Sequence, residues 1–280
     1  MNALEQTVLA GQALWRTLRR MGSARLWTPW LVLGLVQALV LAALTAFARP
    51  WLAWVLAPLV RAGAGEAALH YPDFFRALPL LYDRADLVVA ALVGSIATGW
   101  SVTLFASDWR GARVAVGEGW FRVAPRSLAL VLVQLPFNVL AFGLSVAIGH
   151  LLAGRVGMTL RAGQAAGLAA MVVLQALFLY LPAVVVLERR GLGAAFAALP
   201  RTWARGFWAA LVVGVAALLP LLPLDFLGRR TNLLVERGTP ELVAGLVVLD
   251  LLVGLLVSFL LAGSSTLVFL GAVSDAEGER

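Results

Sequence analysis

The spacing of apolar and polar residues divides this chain into long apolar runs separated by short basic segments. At the N-terminus Leu4, Val8, Gly11, Trp15 and Leu18 fall at i, i+4, i+7, i+11 and i+14, while Glu5, Gln12, Arg16 and Arg19 project elsewhere. This spacing predicts an amphipathic helix that lies in a membrane interface or packs on the rest of the protein, and periodicity alone weighs the two equally. Thr28 and Pro29 then offer an N-cap and a first-turn proline for an apolar run to Ala48, about 20 residues and enough to cross hydrocarbon. Between Arg49 and Asp86 the pattern is broken by Pro50, Pro58, Pro72 and Pro79, with Trp51, Trp54, Tyr71 and Tyr82 as aromatic anchors, which predicts short interfacial helices. A second span covers 87–106. Residues 107–126 then return to a basic amphipathic pattern, with Val116, Trp120 and Val123 on one side and Arg113, Glu118, Arg122 and Arg126 elsewhere.

A third span over 127–153 carries Gln134, Pro136 and Asn138 close together, so a kink and a polar contact between helices are expected there. The fourth covers 164–187, with Gln175 inside it and Pro182 near its end. In the basic segment 188–208, Leu192, Phe196, Leu199 and Trp203 repeat the i, i+4, i+7, i+11 spacing, and Pro200 should divide the helix in two. The fifth span, 207–222, leaves the membrane at Pro220, Pro223 and Asp225. After a polar loop with Arg229, Arg230, Asn232, Glu236 and Arg237, Thr239 and Pro240 again supply a cap and a first-turn proline. The apolar helical pattern then runs through Val273, about 50 Å at 1.5 Å per residue and longer than the roughly 30 Å hydrocarbon core. The expected fold is therefore all-α, a polytopic membrane protein of about six transmembrane helices with interfacial amphipathic helices.

The basic segments suggest a repeat. Ser107-Asp108-Trp109-Arg110-Gly111 aligns with Leu187-Glu188-Arg189-Arg190-Gly191, matching acid, arginine and glycine, and in both copies a tryptophan-containing basic helix leads into a span. The N-terminal helix, with Trp15, Arg16, Arg19 and Arg20, is the expected first copy. A weaker echo joins Ser101-Val102-Thr103-Leu104-Phe105 to Ser265-Thr266-Leu267-Val268-Phe269. The expected unit is an interfacial helix, a span out, a loop and a span back, three times, over 1–107, 108–187 and 188–275 of one integral membrane domain.

Composition strengthens the membrane reading. The 280 residues are 61% hydrophobic and 13% charged, against about 25% charged in soluble domains. All the positive side-chain charge is arginine, since the chain has no lysine, and the arginines cluster between apolar runs. That pattern fits the positive-inside rule and anionic headgroups rather than nucleic acid, which needs a basic domain in water. With both termini inside, 13 arginines fall on the inner side and nine outside, so an inner-membrane protein of a bacterium with cytoplasmic termini is expected. The N-terminus lacks the signal-peptide order, because Arg16, Arg19, Arg20 and Arg25 follow an amphipathic stretch, and the first span is expected to stay as an anchor.

Candidate chemistry is sparse. The absence of cysteine excludes disulfides, thiolate metal sites and cysteine nucleophiles. His70 and His150 lie far apart and outside any ligand spacing, and a Walker loop is impossible without lysine. No cofactor, metal or catalytic residue is expected. Serines in the spans (Ser95, Ser101, Ser145, Ser258, Ser264 and Ser265) and glycines such as Gly34, Gly94, Gly99, Gly143, Gly245, Gly254 and Gly263 read as packing positions, with 263–266 as the candidate kink of the last span. Asp250 is the one acid expected near membrane depth, either interfacial, or paired with an arginine or Asn138, or coupled to an ion or proton. Asn138 and Asp250 are thus the candidate intramembrane polar residues. The candidate lipid- or partner-binding residues are Arg16, Arg19, Arg20, Arg110, Arg113, Trp120, Arg122, Arg189, Arg190, Arg201, Trp203 and Arg205.

The stretch Ala194-Ala195-Phe196-Ala197-Ala198-Leu199-Pro200-Arg201-Thr202-Trp203-Ala204-Arg205-Gly206-Phe207-Trp208 is a small-residue amphipathic helix ending in tryptophan and arginines and running into an aromatic start of span. It resembles the six-span membrane domain attached to some bacterial glycerophosphodiester phosphodiesterases and its stand-alone relatives. The likeness covers most of the chain by layout and about 20 residues by motif. The hydrolase of that family is a separate soluble domain, so the resemblance implies architecture and not phosphodiesterase activity. The expected function is a non-enzymatic one, in lipid organisation or as a docking subunit, with membrane lipids, a protein partner or a second copy of the chain as partners. The alternative is a transporter or channel subunit coupled to a separate ATPase.

Overall fold

The computed structural model describes residues 2–46, 49–228 and 231–274, and all regular structure in them is helical. Ala48, Arg229, Arg230 and Arg280 lie outside the described residues. The helices are α1 (Ala3–Arg19), α2 (Ala24–Thr45), α3 (Pro50–Ala64), α4 (Asp73–Val89), α5 (Ser95–Trp109), α6 (Val116–Val123) and α7 (Ser127–Leu152). They continue with α8 (Gly157–Phe178), α9 (Leu181–Leu187), α10 (Leu192–Ala197), α11 (Leu199–Leu218), α12 (Leu222–Gly228), α13 (Thr231–Arg237) and α14 (Glu241–Ser274). Among the described residues six stretches are long and apolar enough to cross a membrane: Ala24–Thr45, Asp73–Trp109, Val116–Leu152, Gly157–Leu187, Leu199–Gly228 and Glu241–Ala272. The chain is a multi-pass helical membrane protein, as its apolar periodicity predicts.

Local signals place several boundaries differently from the sequence reading. α2 begins at Ala24, and Pro29 sits inside it, while the Thr28 hydroxyl donates back to the Ala24 carbonyl at 3.4 Å instead of capping. The second spanning stretch starts at Asp73 and not at residue 87. The chain is α-helical to Val89, passes through a π-helical turn over Ala90–Gly94 and resumes as α5. Tyr82 and Asp86 therefore belong to a long apolar helix rather than to an interfacial segment. The fourth stretch is interrupted at Leu179 and Tyr180, between α8 and α9, with Pro182 in the first turn of α9, and Pro200 stands at the start of α11 after α10 has ended. Residues 263–266, expected to kink, continue α14 without a break, and the hydroxyls of Ser265 and Thr266 both donate to the Ala262 carbonyl.

By contacts the chain forms two compact units, a first made of Met1–Pro29, Gly94–Ala217 and Phe259–Arg280 and a second made of Trp30–Val93 and Leu218–Ser258. The middle hairpin expected from the repeat lies wholly in the first unit, whereas the other two contribute to both. In the first unit Phe105 and Phe259 are fully buried, Phe259 stacks on Trp27 at 4.4 Å, and Phe105 meets Phe259 edge-on at 5.1 Å. Small residues allow close approach there. A Cβ on Gly263 would stand 2.4 Å from Thr17 Cγ2 and 2.9 Å from the Phe105 ring, and one on Gly99 would stand 2.4 Å from Leu130 Cδ1. Gly143, Gly245 and Gly254, by contrast, face open space. In the second unit Trp30, Phe74, Leu78, Tyr82, Val243 and Val247 form the buried core, and Leu255 fills the space left by Gly34. α2 and α14 also border an apolar groove of about 620 Å³ whose lining side chains are aliphatic apart from Thr45.

Candidate interfacial and intramembrane sites

Helix α1 uses two faces. Asn2 and Glu5 start it with a capping box, in which the Asn2 side chain accepts from Glu5 N at 2.8 Å and Glu5 accepts from Asn2 N at 3.0 Å. The buried face is small or polar: Gln6, Ala10, Ala13 and Thr17. Gln6 accepts the backbone N–H of Trp208 at 3.0 Å, and Ser264 donates to the Thr17 hydroxyl at 3.3 Å. The opposite stripe of Leu4, Val8, Trp15 and Leu18 stays exposed, Leu4 at 73% and Trp15 at 56%. Packing and interfacial exposure thus occur together, on different sides of one helix.

The basic segments are held by two carboxylates. Asp108, at the end of α5, is 14% exposed and lies between Arg20 Nε at 3.1 Å and Arg25 Nη2 at 3.0 Å. Arg25 also donates to the Val114 carbonyl at 3.0 Å, and the Arg20 guanidinium lies 5.9 Å from the centre of the Trp109 ring. The chain turns after α5 at Gly111, whose φ of +73° suits glycine, and Ala112 N bonds back to the Ser107 carbonyl at 2.9 Å. Glu188, just after α9, is 16% exposed and meets Arg190 Nε at 2.6 Å and Arg201 Nη2 at 2.5 Å. Arg189 between them has φ +56°, a left-handed backbone that is uncommon outside glycine. The two acids that the sequence reading aligned each gather two guanidiniums.

The tryptophans of these segments are anchored as well. Trp120 meets Trp100 edge-on at 5.3 Å, Trp100 donates to the Val116 carbonyl at 3.1 Å, and Trp203 donates to the Leu177 carbonyl at 2.8 Å. Among the predicted binding residues, Arg20, Arg190 and Arg201 are thus committed to internal pairs, Arg122 pairs with Glu118 at 2.5 Å one turn away, and Arg19 covers the Trp15 ring at 4.9 Å. Arg16, Arg110, Arg113, Arg189 and Arg205 are exposed and pair with no carboxylate among the described residues. Sequence reasoning missed the anchoring roles of Arg25, Asp108 and Glu188; the signal was present in the matched acid at the end of each apolar run.

The second unit holds a different group. Gln37 of α2 donates through Nε2 to Asp86 Oδ1 of α4 at 2.7 Å. Tyr82, one turn before Asp86, is buried, and its hydroxyl has no hydrogen-bond partner among the described residues. The phenol lies within electrostatic reach of Asp86, Asp250 and Asp83. Asp250 is half-buried on α14, on the side that carries buried Val243 and Val247. Asn138 in the first unit does not supply the expected interhelical contact, since its amide donates to the Gln134 carbonyl of its own helix at 3.1 Å. Gln37 and Asp86 were not singled out from the sequence, and Tyr82 was read only as an aromatic anchor; the isolated glutamine in an apolar run and the i, i+4 spacing of Tyr82 and Asp86 were the available signals. No group of three or more His, Cys, Asp or Glu able to hold a metal ion occurs among the described residues.

No protein-family model, curated protein or solved structure matches this chain. Fold and composition define its class, a multi-pass helical membrane protein with six candidate spans.

Proposed function

We propose that this chain is a non-enzymatic protein of a bacterial inner membrane, with both termini cytoplasmic, that gathers anionic lipid headgroups on its basic interfacial segments. The observation that carries the reading is the division of labour among the arginines. Those paired to Asp108 and Glu188 fix the segments in place. Arg16, Arg110, Arg113, Arg189 and Arg205 remain exposed without carboxylate partners among the described residues. Exposed Leu4, Val8, Trp15, Phe121 and Trp208 occur in the same segments. An apolar stripe beside uncommitted guanidiniums suits insertion at headgroup depth, where each arginine near an anionic surface contributes about 1 kcal/mol.

The test is native mass spectrometry of the protein released from nanodiscs of mixed phosphatidylethanolamine and phosphatidylglycerol. The wild type should retain phosphatidylglycerol in preference, and a variant with Arg16, Arg110, Arg113, Arg189 and Arg205 changed to glutamine should lose that preference while remaining folded. Equal retention of the two lipids by the wild type would sink the reading. A second reading, a transport subunit working with a separate ATPase, is favoured by the hydrogen-bonded pair of Gln37 and Asp86 within apolar helices. Co-purification of an ATPase would move the balance to it.

A further inference from the structure

By the length of the helices that carry it, the polar group of the second unit falls at hydrocarbon depth. Helix α2 has 22 residues, roughly 33 Å at 1.5 Å per residue and close to the thickness of the hydrocarbon core. Gln37 stands about 12 Å before its Thr45 end on the same rise, and the 2.7 Å bond brings Asp86 to that level. A carboxylate at this depth is costly unless a positive charge compensates it. Its partner here is a neutral amide. The nearby arginines bind elsewhere: Arg61 pairs with Glu66, Arg76 with Asp73 at 2.5 Å, and Arg84 donates to the Gly63 carbonyl at 2.8 Å. Among the described residues no arginine pairs with Asp86.

Two further oxygens of the second unit lack hydrogen-bond partners among the described residues. Gln37 donates through its nitrogen, which leaves Oε1 buried without a hydrogen bond. Tyr82 is 3% exposed, and its hydroxyl is likewise unpartnered while within electrostatic reach of Asp86 and Asp250. Buried oxygens left unpaired are destabilising; water can serve such oxygens, but only a proton or a cation also offsets the carboxylate beside them. A proton on Asp86 supplies one donor and serves one of these oxygens at most. A cation with oxygen ligands serves the carboxylate, the amide oxygen and the phenol together. Hard oxygen donors without nitrogen or sulfur suit alkali and alkaline-earth ions. The one carboxylate among the three proposed ligands balances a single positive charge, which suits a monovalent ion.

We infer that Asp86, Gln37 Oε1 and the Tyr82 hydroxyl form a binding site for a small monovalent cation, with Asp250 adding negative potential. The site is independent of the headgroup reading.

The experiment follows thermal unfolding of the full chain in detergent while LiCl, NaCl or KCl replaces choline chloride at constant ionic strength. Headgroup screening is the same in all these salts, so a failure here leaves the lipid reading intact. The wild type should show a saturable rise in Tm with at least one alkali ion. Tyr82→Phe, which keeps the ring and removes one ligand, should weaken the apparent affinity about tenfold, and Asp86→Asn should abolish the response. Responses equal to that in choline chloride would overturn the inference. So would an unchanged alkali-ion response in Asp86→Asn, or stabilisation by acid with none by alkali ions, which is the signature of a protonated Asp86. Should Asp86→Asn fail to fold, Tyr82→Phe decides alone, and an unchanged affinity overturns the site.

Discussion

Asp108 in the first unit and Asp86 in the second are both carboxylates drawn into the protein, yet their surroundings differ. Asp108 lies between the guanidiniums of Arg20 and Arg25, and Glu188 is treated the same way by Arg190 and Arg201. Asp86 has the amide of Gln37, with the unpartnered Tyr82 hydroxyl one turn away. In the first case the charges are matched, and the pairs tie distant parts of the chain together, since Arg25 and Asp108 are 83 residues apart. In the second no arginine pairs with the carboxylate among the described residues, and its partner is a neutral amide. Removing one member of a matched pair strands the others, whereas removing an unmatched charge relieves a cost. The same chemical group is therefore a fastener in one unit and a binding element in the other.

The largest expected effect tests that contrast directly. Asp108→Asn should lower stability by about 3 kcal/mol, because two arginines lose their counter-charge, whereas Asp86→Asn in choline chloride should leave Tm unchanged or raise it. Unfolding curves of the two variants in one detergent make the comparison; equal losses would break it.

A second contrast concerns close packing. Gly263→Ala in the first unit forces a Cβ against Thr17 and Phe105 and should cost about 1–3 kcal/mol. Gly245→Ala in the second unit meets open space and should be neutral or gain up to about 1 kcal/mol from helix propensity. The Tm values of the two variants decide the matter, and similar losses would mean that α14 tolerates no added methyl anywhere.

The smallest effect belongs to an exposed pair in the second unit. Hydrogen bonding to the Arg61 guanidinium holds the Glu66 carboxyl below the usual carboxylate range. Its contribution to stability is present above the unfolded value, about pH 4.3, and is lost as pH falls through the lowered folded value. The Tm difference between wild type and Glu66→Gln should therefore be small at neutral pH and vanish in acid. A pH titration of both proteins by scanning calorimetry checks the sign. A difference that grew in acid would mean that Arg61 is not the residue holding Glu66 low.

Much of the fold was legible along the chain. The run from Thr28 marks the first span, although the helix starts earlier, because Pro29 is tolerated within α2 and the Thr28 hydroxyl bonds back instead of capping. The exposed stripe of α1 was legible too, since Leu4, Val8, Trp15 and Leu18 share a face by periodicity alone. Asp86 was harder to read. Four prolines around it resemble interfacial punctuation, but Pro79 lies inside α4 and the helix continues past it. Proline often marks a boundary, but a helix that crosses a bilayer tolerates one in its interior.

The sequence by itself determined the membrane setting, the number of apolar stretches and which arginine segments lie between them. Those properties depend on local spacing and on length relative to a bilayer, which any stretch carries without knowledge of its neighbours. Tertiary structure decided which arginines are already paired, that Thr17 meets Ser264 and Gln6 meets the Trp208 N–H, and that Gln37 finds Asp86. A polar side chain within an apolar run states a need for a partner. The partner is set by which helix faces meet, and one-dimensional periodicity does not contain that information.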